Sequence, residues 1–420
     1  MTAKTELTNH VWATRAARAA PWLAGGSAVA ILFSIAVAQI LLGAALLALL
    51  VARVVARAKW RFPAIGWAVV ALLGWTVVAM VAAGELRAGW PQLKKFFVFA
   101  EFAVVATACG TVRRARAVLM AMAAAGTLSA LWSFVQFGRR MAEAAAASED
   151  FYTYYTPRRT TGFMSHWMTF SGELVVVLGI VLAFALWANR ARSGGGWWAM
   201  PFTNRWAALA LAGVAAVALV LNQTRSIWLA AAAVVVYLVA AWQPRWLLAL
   251  PVLAVLGYVA SPGAVQERVR SIVEPHGETD SNQHRVVTRV AGIEMIKAHP
   301  LFGLGPEMPG KRFLEFVPKD LLPLPVGYYG HLHNVYLQLA AERGLPALAI
   351  LLWLFGALVL GARRQADPVL RHAAVAAVIA TAVGGLFEYN LGNSEVLHVF
   401  LAVAACGFAV VNPVDQTSIV

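Results

Sequence analysis

The residues of this chain best suited to chemistry stand together in Gly330-His331-Leu332-His333-Asn334, directly ahead of a long apolar run. An imidazole titrates near neutrality, so a neutral His333 can accept the proton of an alcohol as that alcohol attacks an electrophile. His331, two residues away, offers the same chemistry, and the pattern alone leaves the choice between them open. A His-x-His pair also binds zinc, but no third histidine or carboxylate stands at a familiar spacing, so no metal is expected. Asn334 reads either as a polar contact to substrate or, more plainly, as a helix cap.

Arginines supply complementary charge. Arg225 lies in Gln223-Thr224-Arg225-Ser226, a connection so short between two apolar segments that its guanidinium must stay at the membrane surface. There its planar fork can grip phosphate oxygens in pairs, although a snorkelling arginine at a helix end is the ordinary alternative. Arg285 and Arg289 are four residues apart and share one face of an expected helix. Their mutual repulsion calls for an anionic ligand or for salt bridges to Glu274, Glu278, Asp280 or Glu294. Arg158-Arg159, with His166 and Trp167, forms a third basic group among Phe151, Tyr152, Tyr154, Tyr155 and Phe163. Such a surface suits carbohydrate or a lipid headgroup, and an interfacial aromatic belt has the same composition. Glu278 and Asp280 are the one close Glu-x-Asp or Asp-x-Asp pair in the outer segments, so arginines rather than a metal or another cofactor are expected to neutralise an anion.

The elements that must position these groups are membrane helices. Of 420 residues, 60% are apolar and 13% charged, which excludes an ordinary soluble domain and predicts an all-α polytopic membrane protein. The net charge of +14 marks loops rather than a nucleic-acid partner. Cys109 and Cys406 have no metal or redox spacing and read as inert core residues. Apolar segments fall near 22–52, 64–83, 96–112, 116–137, 171–188, 206–222, 226–242, 245–260, 345–362, 371–387 and 395–412. The first is roughly 46 Å long as one straight helix and is read as a tight pair of short or tilted helices, giving about twelve segments. That parity puts both termini and the basic loops at Arg53/Arg57/Lys59/Arg61, Arg113/Arg114/Arg116, Arg190/Arg192, Arg245 and Arg363/Arg364 in the cytoplasm. It sends 84–95, 139–170, 223–225, 261–334 and 388–394 to the outer face, with Arg87, Lys94 and Lys95 as exceptions.

The expected organisation is therefore 1–260, about nine membrane helices; 261–334, one large outer loop; and 335–420, three further helices. The loop holds eight basic and eight acidic residues. Its Val286, Val290, Ile293, Ile296 and Leu301 mark an amphipathic helix over 284–298, ended by His299-Pro300, which would form a lid over the outer mouth.

His333-Asn334, nine residues and then Gly344-Leu345-Pro346, together with Arg285 ahead of His299-Pro300-Leu301-Phe302-Gly303-Leu304-Gly305, closely resemble the O-antigen ligase and polymerase superfamily. Arg159-Thr160-Thr161-Gly162-Phe163 and Gln223-Thr224-Arg225-Ser226 also look like family segments, and the resemblance runs from about residue 90 onward. Ala347 departs from the pattern, which usually has a second glycine there; this bears on helix packing rather than chemistry.

The resemblance implies an inner-membrane, metal-independent, inverting glycosyltransferase of about twelve helices, GT-C-like, with its large helical loop and active site in the periplasm. Its donor would be a glycan on undecaprenyl pyrophosphate and its acceptor a sugar hydroxyl of lipid A-core. By position, His333 becomes the base, and Arg225 and Arg285 the diphosphate clamps. Arg159, His166, Arg289, His331 and Asn334 are further candidates for substrate contact. The ligase-like spacing after His333-Asn334 favours a ligase over an O-antigen polymerase, and a periplasmic protein O-glycosyltransferase is a further rival. A lipid or glycan transporter should carry ionisable groups in mid-span, where this chain has few beyond Glu101 and Glu173.

Overall fold

A computed structural model describes residues 3–56, 63–187, 200–271 and 281–410. Arg57, Lys59, Arg61, Arg190, Arg192, Glu274, Glu278 and Asp280 lie outside the described residues. Within them the regular structure is helical, apart from an isolated bridge between Thr111 and Val410. That is what long apolar segments dictate, because a backbone removed from water must satisfy its own hydrogen bonds.

The chain opens with α1 (Ala3–Ala30) and α2 (Ile35–Ala56), which fold back on one another. Then come α3 (Gly66–Ala82), α4 (Leu86–Ala108), α5 (Val112–Ala146), the short α6 (Phe151–Tyr155) and α7 (Trp167–Trp187). The middle of the chain supplies α8 (Met200–Thr203), α9 (Arg205–Asn222), α10 (Arg225–Trp242), α11 (Ala249–Val259) and α12 (Gly263–Arg270). Last are α13 (Ser281–Ala298), α14 (Met308–Lys311), α15 (Val335–Ala362), α16 (Pro368–Gly384) and α17 (Ser394–Cys406). Six of them, α2, α5, α7, α9, α10 and α15, are long and apolar enough to cross a membrane. The segment Pro244–Val259 with α12, bent by 120°, can add a seventh, while α3, α16 and α17 are apolar but shorter.

Several elements differ from the sequence expectation, α4 among them, since it begins at Leu86 and takes Arg87, Lys94 and Lys95 into a helix. The run 22–52 does hold a turn, at Ile31–Ser34, but the helices it joins are 28 and 22 residues long rather than short. Helix α1 continues outward through Pro21 into the more polar stretch before it. Helix α5 has 35 residues, about 52 Å at 1.5 Å per residue, so its end with Arg140 and Glu143 stands clear of a core about 30 Å thick. Helix α13 forms where the pattern predicts, but its buried side is His284, Val287, Thr288, Ala291 and Met295, while Val286, Ile293 and the following Leu301 are exposed. The buried stripe thus mixes polar and apolar side chains, while apolar ones stand on the exposed face.

The main core surrounds the almost wholly enclosed α7, which packs on α5, α9, α10 and α16. A smaller core of Val287, Met295, Leu304, Met308, Phe313 and Leu332 binds the large loop to Ala341 of α15. The bundle has two distinct ends. At one, the Arg116 guanidinium meets Asp367 at 2.9 Å and Gln365 donates to the Ala409 carbonyl at 2.6 Å. At the other, Asn222 donates to Thr160 O at 2.7 Å and Val335 N–H to Gly385 O at 2.8 Å.

Candidate active site

At that second end the start of α15 sets the geometry. Asn334 Oδ1 accepts from the amides of Tyr336 and Leu337, both at 2.9 Å, and its Nδ2 donates to Leu386 O at 2.8 Å. The side chain is thus a helix cap that also ties α15 to the end of α16. One residue earlier His333 has φ +49°, the left-handed region that side chains seldom occupy, and its N–H reaches His331 Nδ1 at 3.3 Å. Such a turn is held by its surroundings, and here Leu332 N–H donates to Gln338 Oε1 at 2.7 Å.

Ten residues after Asn334, α15 kinks at Gly344, where φ is +78°. A side chain there would put its Cβ 1.9 Å from Leu301 O. The 300–305 strand of chain runs along the kink and replaces its lost hydrogen bonds: Leu304 N–H donates to Ala341 O, Gly305 N–H to Glu342 O and Leu345 N–H to Pro300 O, at 2.8–2.9 Å. The Pro-Leu-Phe-Gly-Leu-Gly and Gly-Leu-Pro segments are therefore the two halves of one joint. It fixes where the preceding histidines stand.

Glu388, between α16 and α17, organises those histidines. Its Oε1 accepts from Arg285 at 2.8 Å and its Oε2 lies 3.3 Å from His333 Nδ1. Burial pushes the carboxyl up, but the His333 bond and the Arg285 charge outweigh it, so Glu388 is held below the usual carboxylate range. His333 Nε2 faces the Tyr328 carbonyl at 3.0 Å, and His284 Nε2 faces the same oxygen at 2.7 Å. A carboxylate and a carbonyl both accept, so the two contacts call for N–H on both ring nitrogens; Nε2 offers a free electron pair, with the proton kept on Nδ1 toward Glu388, once its contact with Tyr328 O is given up and its proton lost. His331, with its ring 4.1 Å from that of His333, is pushed down to about 4 by burial and then by its histidine neighbour. That makes it a poor proton acceptor near neutral pH.

The cleft beside His333 has a volume of about 330 Å³, and Arg225, Ser226, Arg285, Arg289 and Asn334 line it with His333. Its remaining walls are apolar: Leu229, Val286, Leu332, Leu337, Leu386 and Phe387. Arg225 is anchored through Nη1 to Ser271, at 2.6 Å from O and 3.1 Å from Oγ. Arg159 and His166 do not line the cleft. Arg159 donates to Thr156 O at 2.9 Å and lies over the Trp167 ring, while His166 stacks on Trp167 and accepts from Met168 N–H. Burial lowers His166, and Glu388 and Arg159 act on it in opposite senses. Burial, then the like charges of Arg268 and Arg225, lower Arg159 to about 9.

Residues 207–352 match the family model for O-antigen ligase. Over that stretch the chain is similar to the O-antigen ligase family. The matched stretch holds Arg225, Arg285, Arg289, His331, His333 and the Gly344 kink. No curated protein matches the chain.

Of the residues singled out from sequence, the fold brings Arg225, Arg285, Arg289, His333 and Asn334 to one cleft and sets His331 against His333. Sequence reasoning missed Glu388, His284 and Arg268, whose Nε donates to Gln223 O at 3.2 Å. Glu388 had a signal, being a lone carboxylate in the short apolar connection 385–393 on the same face as His333. No motif marks His284 or Arg268.

Proposed function

We propose that the chain transfers a glycan from undecaprenyl pyrophosphate to a sugar hydroxyl of lipid A-core, in a single inverting displacement at the periplasmic face of the inner membrane. The observation that carries this reading is the cleft itself, where three arginines and His333 meet beside exposed apolar residues of α10, α13 and the end of α16. An anionic headgroup and a lipid tail require that combination. The basic residues Arg113, Arg114, Arg363 and Arg364 belong to the opposite end of the bundle, which by the positive-inside tendency favours a cleft that faces outward.

In the reaction, the acceptor oxygen bonds to the anomeric carbon on the face opposite the diphosphate. The bond from that carbon to the diphosphate oxygen breaks with its electron pair, and the acceptor's proton goes to His333 Nε2. Tyr328 O lies where the acceptor hydroxyl must come, so the hydroxyl replaces that contact while His284 keeps hold of the carbonyl. Glu388 keeps the proton on Nδ1 and stabilises the imidazolium that forms, as a carboxylate does for any histidine base it faces. Arg225 and Arg285 neutralise charge growing on the leaving diphosphate, usually the largest catalytic contribution in such a site. Among the described residues no cluster of His, Cys, Asp or Glu could hold a metal ion.

Purified protein supplied with an undecaprenyl-linked glycan and, in parallel, lipid A-core, a second lipid-linked glycan or a pilin-like protein tests the reading. Transfer to lipid A-core is expected. Product with only the second glycan would make the chain a polymerase, and product with only the protein a protein glycosyltransferase.

A further inference from the structure

We propose that Ser226 and the first turn of α10 form the subsite for the lipid-proximal phosphate of the donor, a role distinct from that of Arg289, which takes the glycan-proximal phosphate; this rests on the reading just given. Ser226 is 3% exposed, lines the cleft, and its Oγ has no hydrogen-bond partner among the described residues. A buried hydroxyl without a partner is costly, and one that borders a cleft is satisfied when a ligand arrives. It belongs to the start of an 18-residue helix whose N-cap, Thr224, makes no side-chain cap bond. Thr224 O takes the amides of Ile227 and Trp228, and the Ser226 amide, in the first turn, can find no carbonyl within the helix. Amides of this kind and the helix dipole favour a phosphate. Behind them Arg159 and Arg268 add positive charge next to Arg225.

The order of the two phosphates follows from what adjoins each. One turn below Ser226 the exposed face of α10 is apolar, with Leu229 51% and Val236 47% exposed, so the tail leaves along α10 and its phosphate lies nearest the helix start. Arg289 stands across the cleft on α13, four residues from Arg285, on the side that carries the Glu388–His333 pair.

Binding of undecaprenol, undecaprenyl monophosphate and undecaprenyl diphosphate to purified protein in nanodiscs separates the possibilities. Ser226→Ala should weaken both phosphorylated lipids about tenfold, the scale of one hydrogen bond to a charged group, and leave undecaprenol unchanged. Arg289→Ala should weaken only the diphosphate. Because the hydroxyl has no partner among the described residues, Ser226→Ala should melt where the wild type does, and Ser226→Thr should keep its binding. Wild-type affinity of Ser226→Ala for the monophosphate, or equal weakening of all three lipids, would overturn the subsite. A wild type with no preference for the phosphorylated lipids over undecaprenol would instead remove the functional reading beneath it.

Discussion

On either side of the first turns of α15, polar groups are gathered in two different ways. In the knot between α4, α15 and the 300–308 segment, Gln92 bonds to Glu307 and accepts from Arg343 at 3.0 Å. Glu342 accepts from Gln338 at 2.9 Å and pairs with Arg343 at 3.2 Å. Lys95, which feels both Glu307 and Glu342, donates to Gly392 O at 2.8 Å. Two acids face two bases, and Gln92, Glu342 and Arg343 are at most 7% exposed. Arg225, Arg285, Arg289 and His333 line the cleft; of these Arg285 and His333 meet Glu388, and Arg289 is exposed with no ion pair among the described residues. Matched, enclosed charge holds a fold together. Surplus charge at an open surface awaits an anion, and Gln338, which bonds both Glu342 and Leu332, links the two regions.

The comparison breaks if the same substitution in either region has the same consequence. Arg225→Lys keeps the charge but loses the paired donors, and glycan transfer per folded molecule should fall about 10²–10³-fold with the melting temperature unchanged. Arg343→Met leaves Glu342 buried without its partner. It should cost about 3 kcal/mol of stability, seen as a lower melting temperature or a lower folded yield, while transfer by the folded fraction falls far less. An inactive but stable Arg343→Met would move the knot into the machinery. Glu388→Gln sharpens the contrast from within the cleft, because it preserves size and removes charge; turnover should drop about 10- to 100-fold and donor binding should change little. An unaltered rate would leave Glu388 a partner of Arg285 alone.

The smallest effect concerns acidity. His331 is held at about 4 in the fold against an ordinary 6.5, so its neutral form favours the folded protein. That contribution is complete above about pH 6.5 and is lost as pH falls toward about 4. Melting temperature should decline across that window, and His331→Gln should flatten the decline. An identical pH profile in the variant would show that His331 is not the group responsible.

Much of this was legible in the sequence because it depends on local pattern. A histidine before an apolar run, an arginine in a two-helix connection and two arginines at helical spacing each declare themselves within a few residues. The α15 joint was legible as motif but not as structure, since only the fold shows Gly344 pressed against Leu301 O. The buried side of α13 was misjudged because hydrophobic periodicity cannot foresee that His284 and Thr288 are buried while Val286 and Ile293 stay exposed. Glu388 was hidden for another reason. Its role comes from a contact 55 residues away from His333 and 103 from Arg285, and no local pattern encodes such a distance.

The central claim is that His333 Nε2 takes the acceptor's proton in a transfer that needs no metal. Its most direct test is a single-turnover assay with purified wild type, His333→Ala and His331→Ala, given undecaprenyl-linked glycan and lipid A-core in the presence of EDTA. Wild type should form product with an inverted anomeric centre, His333→Ala should bind donor normally but react about 10²–10⁴-fold more slowly, and His331→Ala should keep most of its rate. Near-normal transfer by His333→Ala, or a wild-type rate that collapses in EDTA and returns with Mg²⁺ or Mn²⁺, would contradict it.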